Sequence, residues 1–525
     1  MIFLISGVIV ILYLLNKLLP SATYWKERNI FYVSPFYKAY QTFFGKESFA
    51  EIVRQIYEEF PDKRYFGSYQ LFNPCLVVKD VDLIKQITIK DFDHFTDHVD
   101  LMNTDHDSLF SKNLFFLKGK QWREMRNTLS PAFTSSKMKA MFVLISEASK
   151  KFVQHFEAKN DEIIEVEMKD AYSKFTTDVI ATCAFGINCD TLENPENEFF
   201  TMGKAVIRSN FWMIIKAFLR TIFPRVFGFF RIPILPVEVT NFFKMIISDT
   251  IKSREKEGTI RPDLIHLLME ARKGKLQQET SSQSTEDTGF ATAQEIRDSK
   301  PNSDLEITDD LITAQAILFF LAGLETSSSL LSLLSYELAK NPDIQQKLIS
   351  EVDDNLSSSE DSISYEKLAK MKYLDQVVSE ALRKWTPGFV LDRLCTKDYS
   401  IPTVKEDEVP LTISKGCYIN IPVIGLHYNP QFFENPEVFD PERFNDENKK
   451  KIAPGTYIPF GSGPRNCIGS RFALLEIKAI IVFLLNKFEI KFIEKTPVPL
   501  KLKQGFGLLI DGGAWLGLKK RSKTS

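Results

Sequence analysis

Phe460-Gly461-Ser462-Gly463-Pro464-Arg465-Asn466-Cys467-Ile468-Gly469 decides how this chain is read. Its glycines permit tight turns and let a flat ligand come close to backbone. A periodic apolar run, residues 471–488, follows and reads as a helix. Cys467 therefore stands just ahead of a helix N-terminus, where the dipole and unpaired N–H groups favour a thiolate. A thiolate is the form that ligates a metal. The same ten residues also read as a glycine-rich turn around an inert cysteine, since a free cysteine is most often a small buried hydrophobe. The loop alone does not separate the two readings.

Upstream, Asp309–Lys340 reads as one long helix, with acids at its start to suit the dipole and Pro342 beyond its end. At about 48 Å it would cross a whole domain. Within it lies Ala322-Gly323-Leu324-Glu325-Thr326. Thr326 shares a face with Phe319, Ala322 and Gly323, and a mid-helix Thr usually bonds the carbonyl one turn back. The small residues would let the helix pass close to a small bound molecule. Glu380-Ala381-Leu382-Arg383 puts opposite charges at i, i+3 on one helix face. The segment around it is apolar, so the pair is expected to be buried with Arg443 of Pro441-Glu442-Arg443-Phe444, in an architectural role. His427 is read as structural. Trp122-Arg123-Glu124-Met125-Arg126 falls in a helix predicted over 119–129.

Taken together, these five stretches resemble the cytochromes P-450, in that family's order and at plausible separations. The ten-residue loop resembles the haem-binding loop, Ala322 to Thr326 the oxygen-activation motif, and Glu380 with Arg383 the Glu-x-x-Arg pair that Arg443 completes. Within the family the chain looks most like insect microsomal enzymes of the clan holding families six and nine. Asp91-Phe92-Asp93-His94-Phe95-Thr96-Asp97-His98 and Glu325-Thr326-Ser327-Ser328 carry that likeness, and family nine is the expected assignment.

The resemblance implies haem b, with Cys467 as the axial iron ligand. It implies Trp122, Arg126, Arg393 and Arg465 as partners of the propionates, with Phe460, Gly461 and Gly469 shaping the loop. Thr326 and Glu325 would pass protons to the oxygen side. Lys384-Trp385-Thr386-Pro387 departs from the usual Pro-Pro step, so Arg393 is the least well anchored of these assignments. Electrons would come from NADPH through a separate reductase, with cytochrome b5 as a further donor. Lys137, Lys139, Lys449, Lys450 and Lys451 are the candidate docking cations. One oxygen atom would enter a lipophilic small molecule, whether xenobiotic, insecticide, plant toxin or endogenous lipid. Phe110, Phe115, Phe116, Phe211, Phe319, Phe389, Val390, Leu391 and Phe506 are the pocket candidates. Two other haem proteins compete: a peroxide isomerase or dehydratase, and a non-catalytic sensor. The first tends to lose the acid–alcohol pair that Glu325 and Thr326 keep here, and the second has no need of it.

The rest of the sequence is consistent with this reading. A net charge of −2 over 525 residues argues against a nucleic-acid binder. The 44 phenylalanines point to an aromatic, apolar interior. The six cysteines form no CxxC pair and no framework, which suits reduced thiols. Residues 1–19 are almost wholly apolar, and a helix of that length rises about 28 Å, close to a bilayer core. The positive charges Lys17, Lys26 and Arg28 follow it, placing the bulk of the chain in the cytosol. Residues 211–235 are apolar but broken by Pro224 and Pro233, which suits contact with a membrane interface. Residues 277–304 read as a polar linker.

The expected architecture is mainly α with a small β region, the cytochrome P-450 fold, preceded by one N-terminal transmembrane helix. Its parts are an anchor over 1–19, a membrane-proximal linker over 20–49 and a haem-thiolate domain over 50–525. The expected location is the endoplasmic reticulum membrane, with the catalytic domain facing the cytosol.

Overall fold

The computed structural model describes residues 23–34, 45, 47–70, 73–100, 109–207, 219–220, 223–230, 232–261, 263–273, 289–293, 306–356, 362–404, 406, 408–505 and 507–521. The expected anchor over 1–19 lies outside these residues, as do Phe211, Phe506 and most of the polar linker expected over 277–304.

The α-helices of the described residues are, in chain order, α1 (Phe49–Glu58), α2 (Val81–Lys85), α3 (Gly119–Leu129), α4 (Ser135–Glu157), α5 (Met168–Ile180), α6 (Glu198–Ile207), α7 (Pro224–Phe229), α8 (Val237–Glu257), α9 (Leu264–Arg272), α10 (Asp309–Lys340), α11 (Pro342–Asn355), α12 (Tyr365–Lys370), α13 (Lys372–Lys384), α14 (Val423–His427) and α15 (Ser470–Lys487). The strands are β1 (Tyr65–Gln70), β2 (Asn73–Val78), β3 (Ile163–Glu167), β4 (Leu391–Leu394), β5 (Tyr399–Ile401), β6 (Leu411–Ile413), β7 (Tyr418–Ile421), β8 (Phe488–Lys491) and β9 (Trp515–Lys520). The largest sheet runs β1-β2-β7-β4, and β3-β9-β8 and β5-β6 stand apart from it. The β2–β7 pair is parallel, with Cys75 opposite Tyr418, whereas β4 pairs with β7 antiparallel and sets Arg393 opposite Ile419.

The long helix α10 organises the interior. Thr308 caps it by accepting from the Leu311 N–H, and Asp309 and Asp310 sit in its first turn. It is the described helix long and apolar enough to cross a membrane, but 61% of its most apolar window is buried, as expected of a core helix. Its first half, from Leu311 to Leu324, packs into a cluster with α3, α8 and α9. Its second half, from Leu330 to Leu338, packs into another with α4, α5, α13 and α15. Gly323 lets α5 approach, for a Cβ there would lie 2.5 Å from Ile180 Cδ1.

Several sequence expectations need correction. Helix α1 stops at Glu58, ahead of Pro61, and β1 begins at Tyr65. Leu502 pairs with Ile510 in an isolated antiparallel bridge. Within the expected linker, residues 289–293 are docked. Ala291 is buried, the Phe290 ring stacks on Tyr457 at 5.6 Å, and its N–H donates to Asp375 at 3.1 Å. The folded body also begins ahead of residue 50. Trp25 is fully buried and its indole N–H donates to the Ser68 carbonyl at 2.8 Å.

Candidate functional site: the Cys467 loop

The loop is held from three sides. Within it, Gly461 N–H donates to the Ile458 carbonyl, Asn466 N–H to Gly463, and Cys467 N–H to Phe460 at 2.8 Å. Gly461 and Gly463 take φ of 83° and 75°, the left-handed region that disfavours a side chain. At Gly463 the space for a Cβ is already filled by the Thr88 carbonyl, and the Thr88 hydroxyl donates to Ser462 Oγ at 3.2 Å. Leu391 of β4 covers Gly461, and Arg393 of β4 donates to the Ser462 carbonyl at 3.2 Å. Phe133 lies beyond Gly469, with its ring 5.6 Å from that of Phe319 on α10. A chain of contacts thus joins the loop to the middle of the long helix.

Cys467 is the exposed cysteine of the six, and the other five are buried. Yet its surroundings are dense enough that burial pushes its thiol pKa up, with the Gly469 N–H and the Arg126 charge pulling the other way. An accessible thiol in such surroundings faces an internal space, not bulk solvent. The middle of α10 behaves likewise. Ala322 and Thr326 are exposed, Phe319 and Gly323 partly so, on a helix buried before and after them. The Thr326 hydroxyl donates to the Ala322 carbonyl at 2.6 Å, the local bond expected of a mid-helix Thr. Glu325 turns aside: Oε2 accepts from Lys169 Nζ at 3.0 Å and Oε1 from the Ser329 hydroxyl at 3.2 Å.

The three arginines are all buried but differently tied. Arg126 donates to the Asn466 carbonyl at 2.9 Å and to its Oδ1 at 2.8 Å. Arg465 donates to the carbonyls of Thr96, Leu114, Phe115 and Leu117 and lies over the Trp122 ring at 4.1 Å. Arg393 has no acceptor for its Nε among the described residues, and burial pushes its pKa down to about 10. Burial and the charges of Arg393 and Arg126 also drive Arg465 well down. Buried guanidiniums that repel one another need anions beside them. Asp97, 3.7 Å from Arg465, and Asp392 supply only part of that charge. An accessible thiol, glycine-lined backbone and surplus buried cation together fit a flat, metal-bearing dianion. Haem b has that chemistry.

Residues 34–515 match the family model for Cytochrome P450. The chain belongs to the cytochrome P450 family. It is a haem-thiolate monooxygenase of the clan holding families six and nine, and the family uses haem b with electrons from NADPH by way of a reductase. Among its relatives is "Cytochrome P450 9e2" of Blattella germanica, 46% identical over 495 residues, which cover 91% of this chain and 89% of that one. "Probable cytochrome P450 9f2" of Drosophila melanogaster is 39% identical, covering 95% of each chain. "Cytochrome P450 6k1" of Blattella germanica is 35% identical, covering 91% of this chain and 89% of that one.

Other parts of this P450 site and its frame follow from the geometry. Glu380 and Arg383 are fully buried and joined by two bonds, Nε to Oε2 at 2.7 Å and NH2 to Oε1 at 2.8 Å, with Arg443 Nε 3.5 Å from Oε1. Arg383 also donates to the carbonyls of His427 and Pro436, which makes the pair an architectural brace. Both ring nitrogens of His427 serve backbone groups, Nδ1 on the Arg383 carbonyl and Nε2 accepting the Ile458 N–H. Of the pocket candidates, Phe110, Phe116, Phe319, Phe389, Val390 and Leu391 are partly exposed and Phe115 is exposed. Sequence reasoning missed Thr88, Lys169 and Asn466. Asn466 stood inside the quoted loop, but Thr88 and Lys169 reach the site only through long-range packing and carried no signal of their own.

Proposed function

We propose that Cys467 ligates the haem iron and that the chain inserts one atom of dioxygen into lipophilic small molecules: xenobiotics, insecticides, plant toxins or endogenous lipids. The observation that carries this reading is the single accessible thiol, set in a tightly pinned glycine loop among buried guanidiniums. When bound, haem supplies the oxygen activation, and thiolate donation favours cleavage of the O–O bond. The chain's own residues do the rest. The Gly469 N–H and the Arg126 charge favour the thiolate form of Cys467. Arg393, whose Nε has no acceptor among the described residues, and the neighbouring Arg126 and Arg465 would hold the propionates, backed by Trp122. Phe460, Gly461 and Gly469 would let the loop backbone lie against the flat ring system.

Thr326 Oγ1 carries a hydroxyl proton on the exposed face of α10, and Lys169 holds the Glu325 carboxyl group at the helix edge one residue before it. Partly exposed aromatics such as Phe110 and Phe319 line an apolar approach that excludes water. Electrons arrive from NADPH-cytochrome P450 reductase, with cytochrome b5 as a second donor. The chain is held at the endoplasmic reticulum membrane, facing the cytosol, through residues 1–19 and through lipid contact at 211–235. In the latter segment Phe229 is 83% and Phe230 66% exposed.

Cys467→His tests the ligand. Wild type should give the red-shifted ferrous carbon monoxide band of a thiolate-bound haem. The variant should retain haem while losing that band and turnover with reductase. A variant that kept both would overturn the assignment.

A further inference from the structure

Gln315 lies in α10, about one turn before Phe319 and two before Ala322. At helical spacing, positions 315, 319, 322 and 326 share one face. That face is open at Ala322 and Thr326 but closed at Gln315, which has no solvent exposure. A buried primary amide has to find hydrogen-bond partners within the fold. Gln315 finds them mostly in the segment that leads into α3. Its Oε1 accepts the Leu114 N–H at 2.8 Å. Its Nε2 donates to the Lys112 carbonyl at 2.7 Å and to the Leu311 carbonyl, one turn back, at 3.3 Å. Lys112 adds an outer tie, its Nζ lying 3.8 Å from Asp310.

The same segment is held from the opposite side. The Leu114 carbonyl accepts from Arg465 at 3.2 Å, as do the carbonyls of Phe115 and Leu117. Leu114 is therefore bonded to the long helix through its N–H and to the Cys467 loop through its carbonyl. Between these holds, Asn113 Oδ1 accepts the N–H groups of Phe115 and Phe116, each at 3.1 Å. A row of rings stands on this backbone. Phe116 lies 5.2 Å from Phe110 and 5.0 Å from Phe115, and Phe115 stacks on His98 at 4.1 Å. Asn113 and Leu114 are buried, whereas the three phenylalanines keep part of their surface open. Open rings contribute little to a core, so the anchoring beneath them serves whatever the rings face. We infer that Gln315 is a positioning residue for substrate: through the Lys112–Leu114 backbone it sets the Phe110–Phe116–Phe115 row against α10, and so fixes the passage open to bulky lipophilic molecules. The inference rests on the proposed role of these aromatics as the apolar approach. Gln315 itself touches no substrate. Its loss acts on large molecules that must lie along the rings, not on small ones.

The test uses full-length, haem-loaded protein and two probes that bind haem iron through a ring nitrogen, imidazole and 1-dodecylimidazole, each titrated by its difference spectrum. Gln315→Met keeps the length of the side chain and loses all three bonds. Gln315→Asn is the milder variant. Its amide can donate to the carbonyl one turn back, as Asn341 does to Glu337 at 2.8 Å, but is too short to reach the 112–114 backbone. Both variants should keep the haem content and carbon monoxide spectrum of wild type. Both should bind 1-dodecylimidazole roughly threefold to tenfold more weakly, the worth of one or two neutral hydrogen bonds, and imidazole as wild type does. Unchanged affinity for 1-dodecylimidazole would overturn the proposal. So would equal weakening of both probes, which would place the effect at the haem or in the fold. Phe116→Ala tells failure of the inference from failure of the reading beneath it. If that variant binds 1-dodecylimidazole as wild type does, the rings are not the approach and the underlying reading falls. If it binds more weakly while the Gln315 variants do not, the role of Gln315 alone falls.

Discussion

Gly463 and Gly388 both line the Cys467 loop, but only Gly463 is required by the geometry. A Cβ at Gly463 would overlap the Thr88 carbonyl, and its φ of 75° is strained for any L side chain. A Cβ at Gly388 would make ordinary contact with the Pro459 carbonyl at 3.6 Å. Gly463→Ala is therefore expected to displace the loop and yield protein with much less haem per chain. Gly388→Ala should load normally. The ratio of haem absorbance to protein absorbance after expression with ample haem supply measures both. Equal loading of the two would mean that the loop can move without cost. The arginines show a different limit of sequence reading. Arg126, Arg393 and Arg465 carry the same assignment in the sequence, yet Arg126 is tied to Asn466, Arg465 to four carbonyls, and Arg393 has no acceptor for its Nε among the described residues. A guanidinium forms short-range, directional bonds, so its partners depend on backbone positions far away in sequence.

At the scale of elements, the Glu380–Arg383 brace joins α13 to α14 and to the 440–444 segment, where the Asp440 N–H donates to Glu380 Oε1 at 2.9 Å. Arg383→Ala takes the bidentate partner from a carboxylate with no exposure and frees the carbonyls of His427, Pro436 and Val438. Loss of one partner from a buried pair costs roughly 3–5 kcal/mol. The expected result is a lower urea midpoint for the variant, or failure to accumulate folded. A midpoint within experimental error of wild type would show that the brace is dispensable. The second element is α7. Val226, Phe229 and Phe230 present apolar surface there, with Phe229 and Phe230 in edge-to-face contact at 5.2 Å. Protein lacking residues 1–19 should still bind liposomes, reversibly, and Phe229→Ser with Phe230→Ser should weaken that binding. A truncated protein that ignores liposomes would make this aromatic turn ordinary surface.

For the whole molecule, a net charge of −2 means that any attraction to an acidic partner has to be local. The structure narrows the candidates. Lys139 pairs with Glu366 at 2.8 Å, Lys449 with Asp446 at 2.7 Å and Lys451 with Glu447 at 3.8 Å. Lys137 and Lys450 have no acidic partner among the described residues. Changing Lys137 and Lys450 to Glu should raise the reductase concentration needed for half-maximal turnover. Turnover driven by added peroxide should be unchanged. The wild-type electron-transfer rate should drop as salt rises, because the Debye length shrinks to about 3 Å at 1 M. Equal loss by both routes would point to haem loss or misfolding and sink the docking claim.

The sequence by itself determined the mainly helical class with a small β region, the bounds of Gly119–Leu129 and Asp309–Lys340, and the motifs that mark the haem-thiolate family. These features are local: helical periodicity and capping act within a few turns, and a contiguous loop carries its own turn chemistry. The folded structure alone decided the parallel β2–β7 pairing, the sheet that β3 forms with β9, and the docking of residues 289–293 on Tyr457. It also decided the pairing of Lys169 with Glu325 and the full burial of Glu476. Each of these joins residues tens to hundreds of positions apart. Whether a charge is paired or a carboxyl is neutral depends on which groups packing brings within a few ångströms and on how much water it removes, and no local pattern encodes either.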